Sequence, residues 1–468
     1  MTFEKNYDVA VIGGGPAGVA AAIAAGRMGV KTVLIEPNPF LGGAGTASMV
    51  GPWMTNYHQD TQVIRGVFQD IVDELVKHEG STGTLKCPYD EPGNTQGTGG
   101  HITPFDGEIL KYVLNKMVIE AGVDLLLNTY VDTVTSNNGK IESVSIKTKS
   151  SRSTLEAKVF IDCTGDGDIA VQAGAEFEFG RKQDGLSQPV TTMFRMSYVD
   201  IDRFIEYTDK NRNEFVWLTY PVLPDNLPDY FADKMVAVTG FNDLVAKGQQ
   251  SGELNLGRER ITIFSDFKKG DVLFNATRLN KVNALNNNEL IQASLDLKEQ
   301  VMSLTKFARK YLPGFEKAVL SGASSHVGVR ETRRIIGDYV LTQEDVLRGR
   351  KFDDGIAKGC FPVDIHSPTD KKNVWVELDD AYDIPYRCLL PVGLENTLIA
   401  GRCISATHEA LASARVQSHS MAQGQAAGVA AALSAQQGVT TREVSVRELQ
   451  SYLRQQDAIV AGDLEVSR

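Results

Sequence analysis

The chain has 468 residues, a length that suggests about two to four domains, and its apolar (42%) and charged (23%) fractions are those of an ordinary globular protein. Its net charge of −11 disfavours nucleic acid as a partner, because nucleic-acid binding depends on cationic contacts to phosphate. The absence of a stretch of roughly 18 apolar residues and of a signal-peptide pattern predicts a cytoplasmic protein without a membrane span.

A glycine turn between two strands opens the chain. Residues 7–12 are a short apolar run typical of a strand, and residues 13–18 follow with the spacing G-x-G-x-x-G. Residues 16–28 are rich in alanine and compatible with a helix, and residues 31–35 predict a second strand that ends at Glu36. This order of strand, turn, helix and strand predicts a Rossmann-type unit.

Each glycine of the turn has a physical task. Gly13 permits the tight turn, Gly15 lets the backbone approach a pyrophosphate, and Gly18 lets the helix pack closely on the strand. The free N–H groups at the helix start attract phosphate charge. Glu36 lies 18 residues beyond Gly18, where a carboxylate accepts hydrogen bonds from a ribose diol. The unit predicts an adenine dinucleotide, and it does not separate FAD from NAD.

Glycine-rich segments follow the opening unit. Residues 41–48, with Gly42 and Gly43, resemble the segment of flavoproteins that runs along the pyrophosphate and the flavin edge. Residues 79–101 are rich in Gly, Thr and Pro and predict a loop or lid, within an insert at about 51–104. The first of these segments favours a flavin cofactor.

A helix and a strand are predicted next. Residues 106–121 have helical periodicity, with Asp106 as the predicted N-cap and Gly122 near the stop. Residues 124–130 predict a strand whose end, near Val131, meets the adenine.

Two turns complete the first part of the chain. Residues 137–140 (Asn-Asn-Gly-Lys) are a hairpin signal between β-rich runs. Residues 159–168 are an apolar strand that ends in Thr164-Gly165-Asp166, and this element resembles the one that returns the chain to FAD in glutathione-reductase-type flavoproteins. The D-x-D spacing here is also that of a calcium loop, but the remaining EF-hand residues do not follow, so no metal site is predicted.

A short segment holds three arginines. Arg330, Arg333 and Arg334 surround Glu331. All three share a face if the segment is helical, whereas Arg330 and Arg334 share a face if it is a strand. Guanidinium groups bind carboxylates with two parallel hydrogen bonds, so the cluster predicts an anion site. Structural ion pairs with neighbouring glutamates are the alternative.

The C-terminal part supplies further candidates. Residues 396–402 predict a strand that ends at Arg402, and residues 421–433 predict a helix of small residues. Its N-terminus is suited to face the flavin and to stabilise negative charge on the reduced ring. His408 is a candidate acid or base, with a structural hydrogen bond as the alternative, and Arg415 is a candidate cation. The histidines interpreted as structural or surface residues are His58, His101, His326, His366 and His419.

Together these segments resemble the FAD-dependent oxidoreductase family of the glutathione-reductase superfold, a relative of succinate dehydrogenase and fumarate reductase flavoproteins. The residues that carry the resemblance are 13–18 with Glu36, Gly42-Gly43, 162–168, 329–335, 401–415 and 424–428. The resemblance implies an α/β fold, with a Rossmann-like FAD-binding domain of glutathione-reductase type and an inserted α+β substrate domain. It implies non-covalent FAD, because Ala44 stands where relatives with covalent flavin carry a histidine.

The resemblance also implies a domain order. The FAD-binding domain takes residues 1–185, a substrate domain follows at 186–384, a return segment of the FAD-binding domain lies at 385–440, and residues 441–468 form a C-terminal surface helix. The clearest helix of the substrate domain is predicted at 291–311.

Site residues are assigned on the same basis. The candidates for catalysis are Arg330, His408 and Arg415. The residues assigned to FAD are Gly13, Gly15, Pro16, Ala17, Gly18, Glu36, Gly42, Gly43, Val131, Thr164, Gly165, Asp166, Gly401, Arg402, Gln423 and Gly424.

Two absences narrow the chemistry. The five cysteines are scattered without C-x-x-C spacing, which disfavours a dithiol mechanism and predicts reduced, buried thiols. No second G-x-G-x-x-G follows a strand, which disfavours a separate nicotinamide-binding Rossmann domain. The leading hypothesis is an FAD-dependent oxidoreductase that acts on a small, anionic organic substrate by hydride transfer to or from flavin N5, with an unknown electron acceptor. The alternative is a flavin-carrying subunit that passes electrons to a partner protein. A homodimer is compatible with the sequence.

Overall fold

The computed structural model describes residues 5–88, 100–369 and 373–464. The predicted lid loop at 79–101 lies partly outside these residues, at 89–99. The strands are β1 (Asn6–Ile12), β2 (Thr32–Ile35), β3 (Trp53–Met54), β4 (Tyr57–His58), β5 (Thr61–Gln62), β6 (Leu85–Lys86), β7 (His101–Thr103), β8 (Asp124–Leu126), β9 (Tyr130–Asn137), β10 (Lys140–Lys147), β11 (Arg152–Asp162), β12 (Phe177–Phe179), β13 (Phe194–Ser197), β14 (Phe215–Thr219), β15 (Ala237–Gly240), β16 (Ile261–Ser265), β17 (Val272–Phe274), β18 (Val319–Ala323), β19 (Arg333–Ile335), β20 (Gly355–Gly359), β21 (Val363–His366), β22 (Asn373–Val376), β23 (Tyr382–Pro385) and β24 (Thr397–Ile399). The helices are α1 (Pro16–Arg27), α2 (Val67–Lys77), α3 (Gly107–Glu120), α4 (Asp168–Gln172), α5 (Ile201–Lys210), α6 (Asn242–Gln250), α7 (Asn287–Tyr311), α8 (Gln343–Leu347), α9 (His408–Ala414), α10 (Gln417–Gln437) and α11 (Val446–Gln455).

The larger sheet has the strand order β8-β2-β1-β11-β10-β9, and β24 pairs with the C-terminal part of β11. Strands β8, β2, β1, β11 and β24 run parallel, whereas β9 and β10 form an antiparallel extension. The apolar residues of β1 and β2 are buried, as expected for parallel strands with both faces covered. This sheet confirms the predicted strand–helix–strand unit and the α/β class.

Helices α1 and α10 pack against each other at very short range. An added Cβ at Gly424 would overlap the carbonyl group of Ala17, and one at Gly428 would overlap the carbonyl group of Ala21. Helix α10 is buried along nearly its whole length, and alanines fill much of this contact. The small residues of 421–433, predicted as a helix, therefore serve a close helix–helix contact.

Three local predictions agree with the structure or need a small correction. Asp106 caps α3 by accepting hydrogen bonds from the first-turn N–H groups, which confirms the predicted N-cap. Asn138 and Gly139 have positive φ values of 48° and 76° and turn β9 into β10, which confirms the hairpin. The strand predicted at 124–130 was too long, because the chain leaves the sheet after Leu126 and Asn128 adopts a positive φ of 52°.

A second sheet of antiparallel strands has the order β14-β15-β16-β17-β13-β18. Helix α7 packs on it, and its residues Val301, Leu304 and Phe307 share a buried cluster with Phe194 and Phe274. The helix predicted at 291–311 begins earlier, because the Asn286 side chain caps it and allows α7 to start at Asn287.

The insert and the tail both contribute to the main core. Helix α2, inside the insert predicted at about 51–104, buries Phe68 and Leu75 in the same cluster as α1 and α10. Helix α11 is amphipathic and buries Leu449 and Leu453 in that cluster. All five cysteines are buried and free. Within the part of the chain that the structure describes, no helix combines the length and the apolar character that a bilayer crossing requires.

The α1–α10 contact makes a testable prediction for stability. Gly428→Ala places a methyl group against the Ala21 carbonyl, so we expect a loss of about 1–3 kcal/mol in the free energy of unfolding, measured by urea denaturation. Gly107→Ala is the matched control, because its Cβ would meet only the Gly45 carbonyl oxygen at 3.7 Å in the first turn of α3. Equal stability of the two variants would contradict the close packing.

Candidate active site

A large cavity lies where the carboxyl ends of the parallel strands meet. Its volume is about 840 Å³, and it is lined by Ile12 and Ile35 at the ends of β1 and β2 and by Cys163 and Ala400 just after β11 and β24. Ligands of open α/β sheets bind at this edge. The predicted site residues that line the cavity are Gly13, Gly15, Pro16, Ala17, Glu36, Gly43, Val131, Thr164, Gly165, Asp166, Arg330, Gly401, Arg402 and Arg415.

The backbone of the glycine turn suits a pyrophosphate. Gly13 has a φ of 98°, and an added Cβ there would overlap the carbonyl group of Cys163. An added Cβ at Gly15 would meet no atom within 4 Å, so the backbone at this position is open to a ligand. Helix α1 begins after Gly15 without a side-chain cap, which leaves first-turn N–H groups for an anion. The residues present therefore fit a dinucleotide phosphate.

Glu36 stands directly after β2 with its carboxylate held in place. It accepts hydrogen bonds from the Gly14 N–H at 2.6 Å and from the backbone and side-chain N–H groups of Asn38 at 2.9 and 2.7 Å. Burial raises the pKa of Glu36, and these hydrogen bonds oppose the shift. Tyr130 and Val131 line the same cavity, so the predicted ribose and adenine contacts come from elements that meet here.

A buried carboxylate shapes the loop after β11. One oxygen of Asp162 accepts hydrogen bonds from the N–H and the hydroxyl of Thr164, and the other accepts from the N–H groups of Ile169 and Ala170, all between 2.7 and 3.0 Å. These bonds fix the turn that brings Thr164 and Gly165 to the cavity. The predicted strand-to-loop element thus has a specific structural support.

The loop after β24 is joined to the loop after β11 by an ion pair. Arg402 Nη1 lies 2.9 Å from the Asp166 carboxylate and 3.0 Å from the Thr332 hydroxyl. The charge of Arg402 is therefore matched by a protein carboxylate at this end of the cavity.

Helix α10 presents its N-terminus to the cavity. Val416, Gln417 and Ser420 line it, and no side chain caps the helix. Gln423, one turn later, accepts a hydrogen bond from the Gly401 N–H at 2.9 Å. Uncapped N–H groups and the helix dipole favour negative charge at this wall, and the stabilisation of a reduced flavin by this helix stays a prediction.

Some residues assigned to FAD lie behind the cavity wall. These residues are Gly18, Gly42, Gln423 and Gly424. An added Cβ at Gly18 would overlap the Gly13 carbonyl, and Gly42 donates its N–H to the Gly14 carbonyl at 2.8 Å. Their place in the structure supports a role in positioning the cavity wall.

The arginines separate into two pairs. Arg333 and Arg334 form ion pairs with neighbouring carboxylates and do not line the cavity. Arg330 and Arg415 line the cavity, and neither forms an ion pair with any residue that the structure describes. The segment is a strand from Arg333 onward, so the helical arrangement of the cluster is excluded.

His408 lies outside the cavity lining. Its Nδ1 is 2.8 Å from the carboxylate of Glu331, which is itself buried and also contacts Arg334. This environment corresponds to the structural alternative for His408, and we do not carry this residue into the proposed chemistry.

The structure brings a carboxylate and an imidazole to the cavity that sequence analysis did not assign to the site. Asp364 and His366 both line it, with His366 Nε2 2.9 Å from Asp364 Oδ2. Burial, and after it the charge of Arg330, lowers the pKa of His366 to about 3, so the ring is neutral. Burial alone would raise the pKa of Asp364, but His366 and the nearby arginines hold it well below its usual range. The D-x-H spacing on strand β21 was the available signal.

The segment that carries this pair is held by α9 and α10. His419 Nε2 accepts the Cys360 N–H at 2.7 Å, and burial lowers the pKa of His419 to about 3, which keeps it an acceptor. The Ser413 hydroxyl donates to the Phe361 carbonyl and lies 2.8 Å from the Tyr382 hydroxyl. These buried contacts fix the start of the segment that leads to β21.

Fold and site together define an α/β protein with a dinucleotide-type cavity that Arg330 and Arg415 also line. Residues 8–453 match the family model described as FAD dependent oxidoreductase, and the chain belongs to this family. The family confirms the predicted resemblance, FAD as the cofactor and oxidoreductase as the enzyme class.

Partial relatives lie among characterised enzymes. The chain is 27% identical over 182 residues to the thiamine thiazole synthase of Aeropyrum pernix, covering 36% of this chain and 58% of that enzyme. It is 26% identical over 212 residues to the digeranylgeranylglycerophospholipid reductase of Picrophilus torridus, covering 44% of this chain and 50% of that enzyme. The matches thus span about half the length of these relatives. The L-proline dehydrogenase structure from P. horikoshii is 12% identical, with a TM-score of 0.46 over 98% of this chain and 100% of that chain.

The glycine turn makes a testable prediction for cofactor retention. Gly15→Val puts a branched side chain where the backbone must approach the pyrophosphate, so we expect the purified variant to lose its FAD absorbance. The unfolding curve of the apoprotein should stay unchanged, because the added atoms meet open space. A variant that purifies with full FAD occupancy would contradict this assignment of Gly15.

Proposed function

We propose that the protein oxidises or reduces a small, anionic organic molecule by hydride transfer to or from FAD. The observation that carries the proposal is that one cavity contains both the glycine-turn phosphate site and the unpaired guanidinium groups of Arg330 and Arg415. FAD supplies the two-electron chemistry when bound, and the chain supplies position and charge.

The electrostatics of the arginines support an anionic ligand. Burial lowers the pKa of both guanidinium groups. The charge of Arg415 lowers the pKa of Arg330 further, whereas for Arg415 the carboxylates of Asp364 and Glu331 oppose the effect of burial and of Arg402. Arg415 Nε is buried without a hydrogen-bond partner among the described residues. A bound carboxylate would relieve the repulsion and accept hydrogen bonds from these groups, because guanidinium donors match its geometry.

We infer a non-covalent FAD. Ala44 lines the cavity and offers no atom for a covalent link. Cys163 also lines the cavity, but burial raises the pKa of its thiol well above the usual value, which disfavours the reactive thiolate. Acid precipitation of the protein should release the flavin into the supernatant.

The strands of the two sheets come from chain segments that support the proposed domain boundaries. The strands of the larger sheet come from residues 6–162 and 397–399, in agreement with an FAD-binding domain at 1–185 and 385–440. The strands of the second sheet come from residues 194–323, inside the substrate domain proposed at 186–384. Arg330 therefore belongs to the substrate domain and Arg415 to the return segment.

The proposal predicts separate effects on substrate and cofactor. Arg330→Ala removes charge-assisted hydrogen bonds to the substrate, so we expect flavin reduction by the best small carboxylate of an anaerobic panel to slow about tenfold to a hundredfold. The Kd for FAD should change far less. The measurements are stopped-flow absorbance of the flavin and a fluorescence titration of the apoprotein with FAD.

Arg348→Ala is the charge-matched control, because the Arg348 side chain is 73% exposed and pairs with Asp379 on the surface. Its flavin should be reduced at the wild-type rate. Equal rates for Arg330→Ala and the wild type would remove Arg330 from the site. Failure of every small anion, with reduction by a partner protein instead, would favour the flavin-carrying electron-transfer subunit.

A further inference from the structure

We propose that Asp364 and His366 form the proton-accepting pair for a 2-hydroxycarboxylate, whose carboxylate is bound by Arg330 and Arg415. The inference rests on the proposed function and gives it a substrate class. It assigns a role to two cavity residues that neither the family match nor the opening motif explains.

The geometry of the pair fixes the tautomer of the histidine. Residues Asp364 and His366 alternate on strand β21, so their side chains leave the same face, and Nε2 lies 2.9 Å from Oδ2. An ionised carboxylate only accepts hydrogen bonds, so Nε2 carries the proton and donates it. Nδ1 then holds the lone pair, and it forms no hydrogen bond with any residue that the structure describes. A neutral imidazole of the cavity lining therefore has an acceptor atom available to a substrate.

Long contacts link the backbone of the pair to Arg415. The backbone N–H of His366 lies 3.4 Å from the Gln188 side-chain oxygen, and the same oxygen lies 3.4 Å from Arg415 Nη2. Arg415 Nη2 is also 3.4 Å from the Asp364 carbonyl. Gln188 thus joins the imidazole segment to the guanidinium, which places an anion site and a proton acceptor side by side.

The local charge favours a hydroxyl group over an amine. The charges of Arg258 and Arg415 act on Arg330, and Asp364 is a carboxylate that acts on all three guanidinium groups, with Glu331 as a second one acting on Arg415. The neutral His366 adds no charge, so the region has an excess of positive charge. This excess attracts a carboxylate, but it repels an ammonium group on the neighbouring carbon. A hydroxyl group carries no such penalty.

The weak basicity of His366 suits alcohol oxidation. Burial lowers the pKa of His366, which disfavours it as the base for a proton on carbon beside a carboxylate. An alcohol O–H becomes strongly acidic as hydride leaves the adjoining carbon, because the oxygen develops carbonyl character. A buried neutral imidazole can accept that proton at the moment of transfer.

These positions suggest how the hydroxyl-bearing carbon of the substrate is oxidised. FAD, when bound, would be the two-electron oxidant that accepts the hydride from the substrate C–H bond. The carbon–oxygen bond becomes a carbonyl, and the hydroxyl proton passes to Nδ1 of His366. The 2-hydroxycarboxylate leaves as a 2-oxocarboxylate, and Asp364 stabilises the imidazolium while it exists.

The first experiment compares matched substrates on the FAD-loaded protein. Lactate, malate and 2-hydroxyglutarate, in both enantiomers, are tested anaerobically against alanine, aspartate and glutamate, which share their carbon skeletons. We expect a hydroxy acid to reduce the flavin and its amino counterpart to react at least tenfold more slowly. Reduction by an amino acid but by no hydroxy acid would overturn this inference and leave the proposed function intact. Failure of every small anion would overturn both.

The second experiment tests the pair itself. His366→Gln and Asp364→Asn should each slow flavin reduction by about a hundredfold or more, the first by removing the acceptor and the second by allowing the wrong tautomer. His78→Gln, at the C-cap of α2 with a side chain 31% exposed, is the matched histidine control and should keep the wild-type rate. Wild-type rates in His366→Gln would remove the residue from the reaction.

A third measurement does not depend on turnover. Calorimetric binding of the 2-oxocarboxylate to the FAD-loaded protein should persist in His366→Gln and weaken at least tenfold in Arg330→Ala.

In ¹⁵N-histidine NMR spectra at pH 6.5, the resonances missing from His366→Gln should show a neutral ring with the proton on Nε2. A cationic ring, or a proton on Nδ1, would overturn the assignment even if the variants were inactive for structural reasons.

Discussion

The contact between α1 and α10 is the constraint on which the site depends. Gly424 and Gly428 place the backbone of α10 against the carbonyl groups of Ala17 and Ala21, and an added Cβ at either glycine would overlap them. Because the helices are held this close, both of their uncapped N-termini open on one cavity. Each terminus has N–H groups without helical partners and the positive end of a dipole. One wall of the cavity is therefore suited to negative charge without any basic side chain.

The features that sequence reasoning predicted well are those determined by neighbours in the chain. The strand, turn and first helix follow from the glycine spacing, the start of α3 from Asp106, and the β9–β10 turn from Asn138 and Gly139. In each case a side chain or a glycine acts on a backbone only a few residues away. Glu36 reaches the cavity because a strand–helix–strand unit has a regular length, and its contact with the ribose stays a prediction.

The features that sequence reasoning did not predict depend on distant partners. The neighbouring sequence does not distinguish Arg330, Arg333 and Arg334 from one another. They differ because β19 pairs with β12, next to Glu178, and because Asp168 and Glu331 lie within reach of two of the three guanidinium groups. A lone histidine such as His366 carries little information in sequence. The structure shows its environment: β21 places Asp364 beside His366, in a cavity that other segments also line.

The distribution of charge along the cavity explains how an acidic protein can hold a cationic site. At the dinucleotide end Arg402 is matched by Asp166, and the phosphate charge can be met by helix N-termini. At the other end Arg330 and Arg415 form no ion pair with any described residue, although the charge of Asp364 acts on both and that of Glu331 acts on Arg415. Burying several guanidinium groups beside fewer carboxylates is unfavourable, and a further anion in the cavity would offset part of that cost. We propose that the substrate is this anion, so that the same guanidinium groups would bind and orient it.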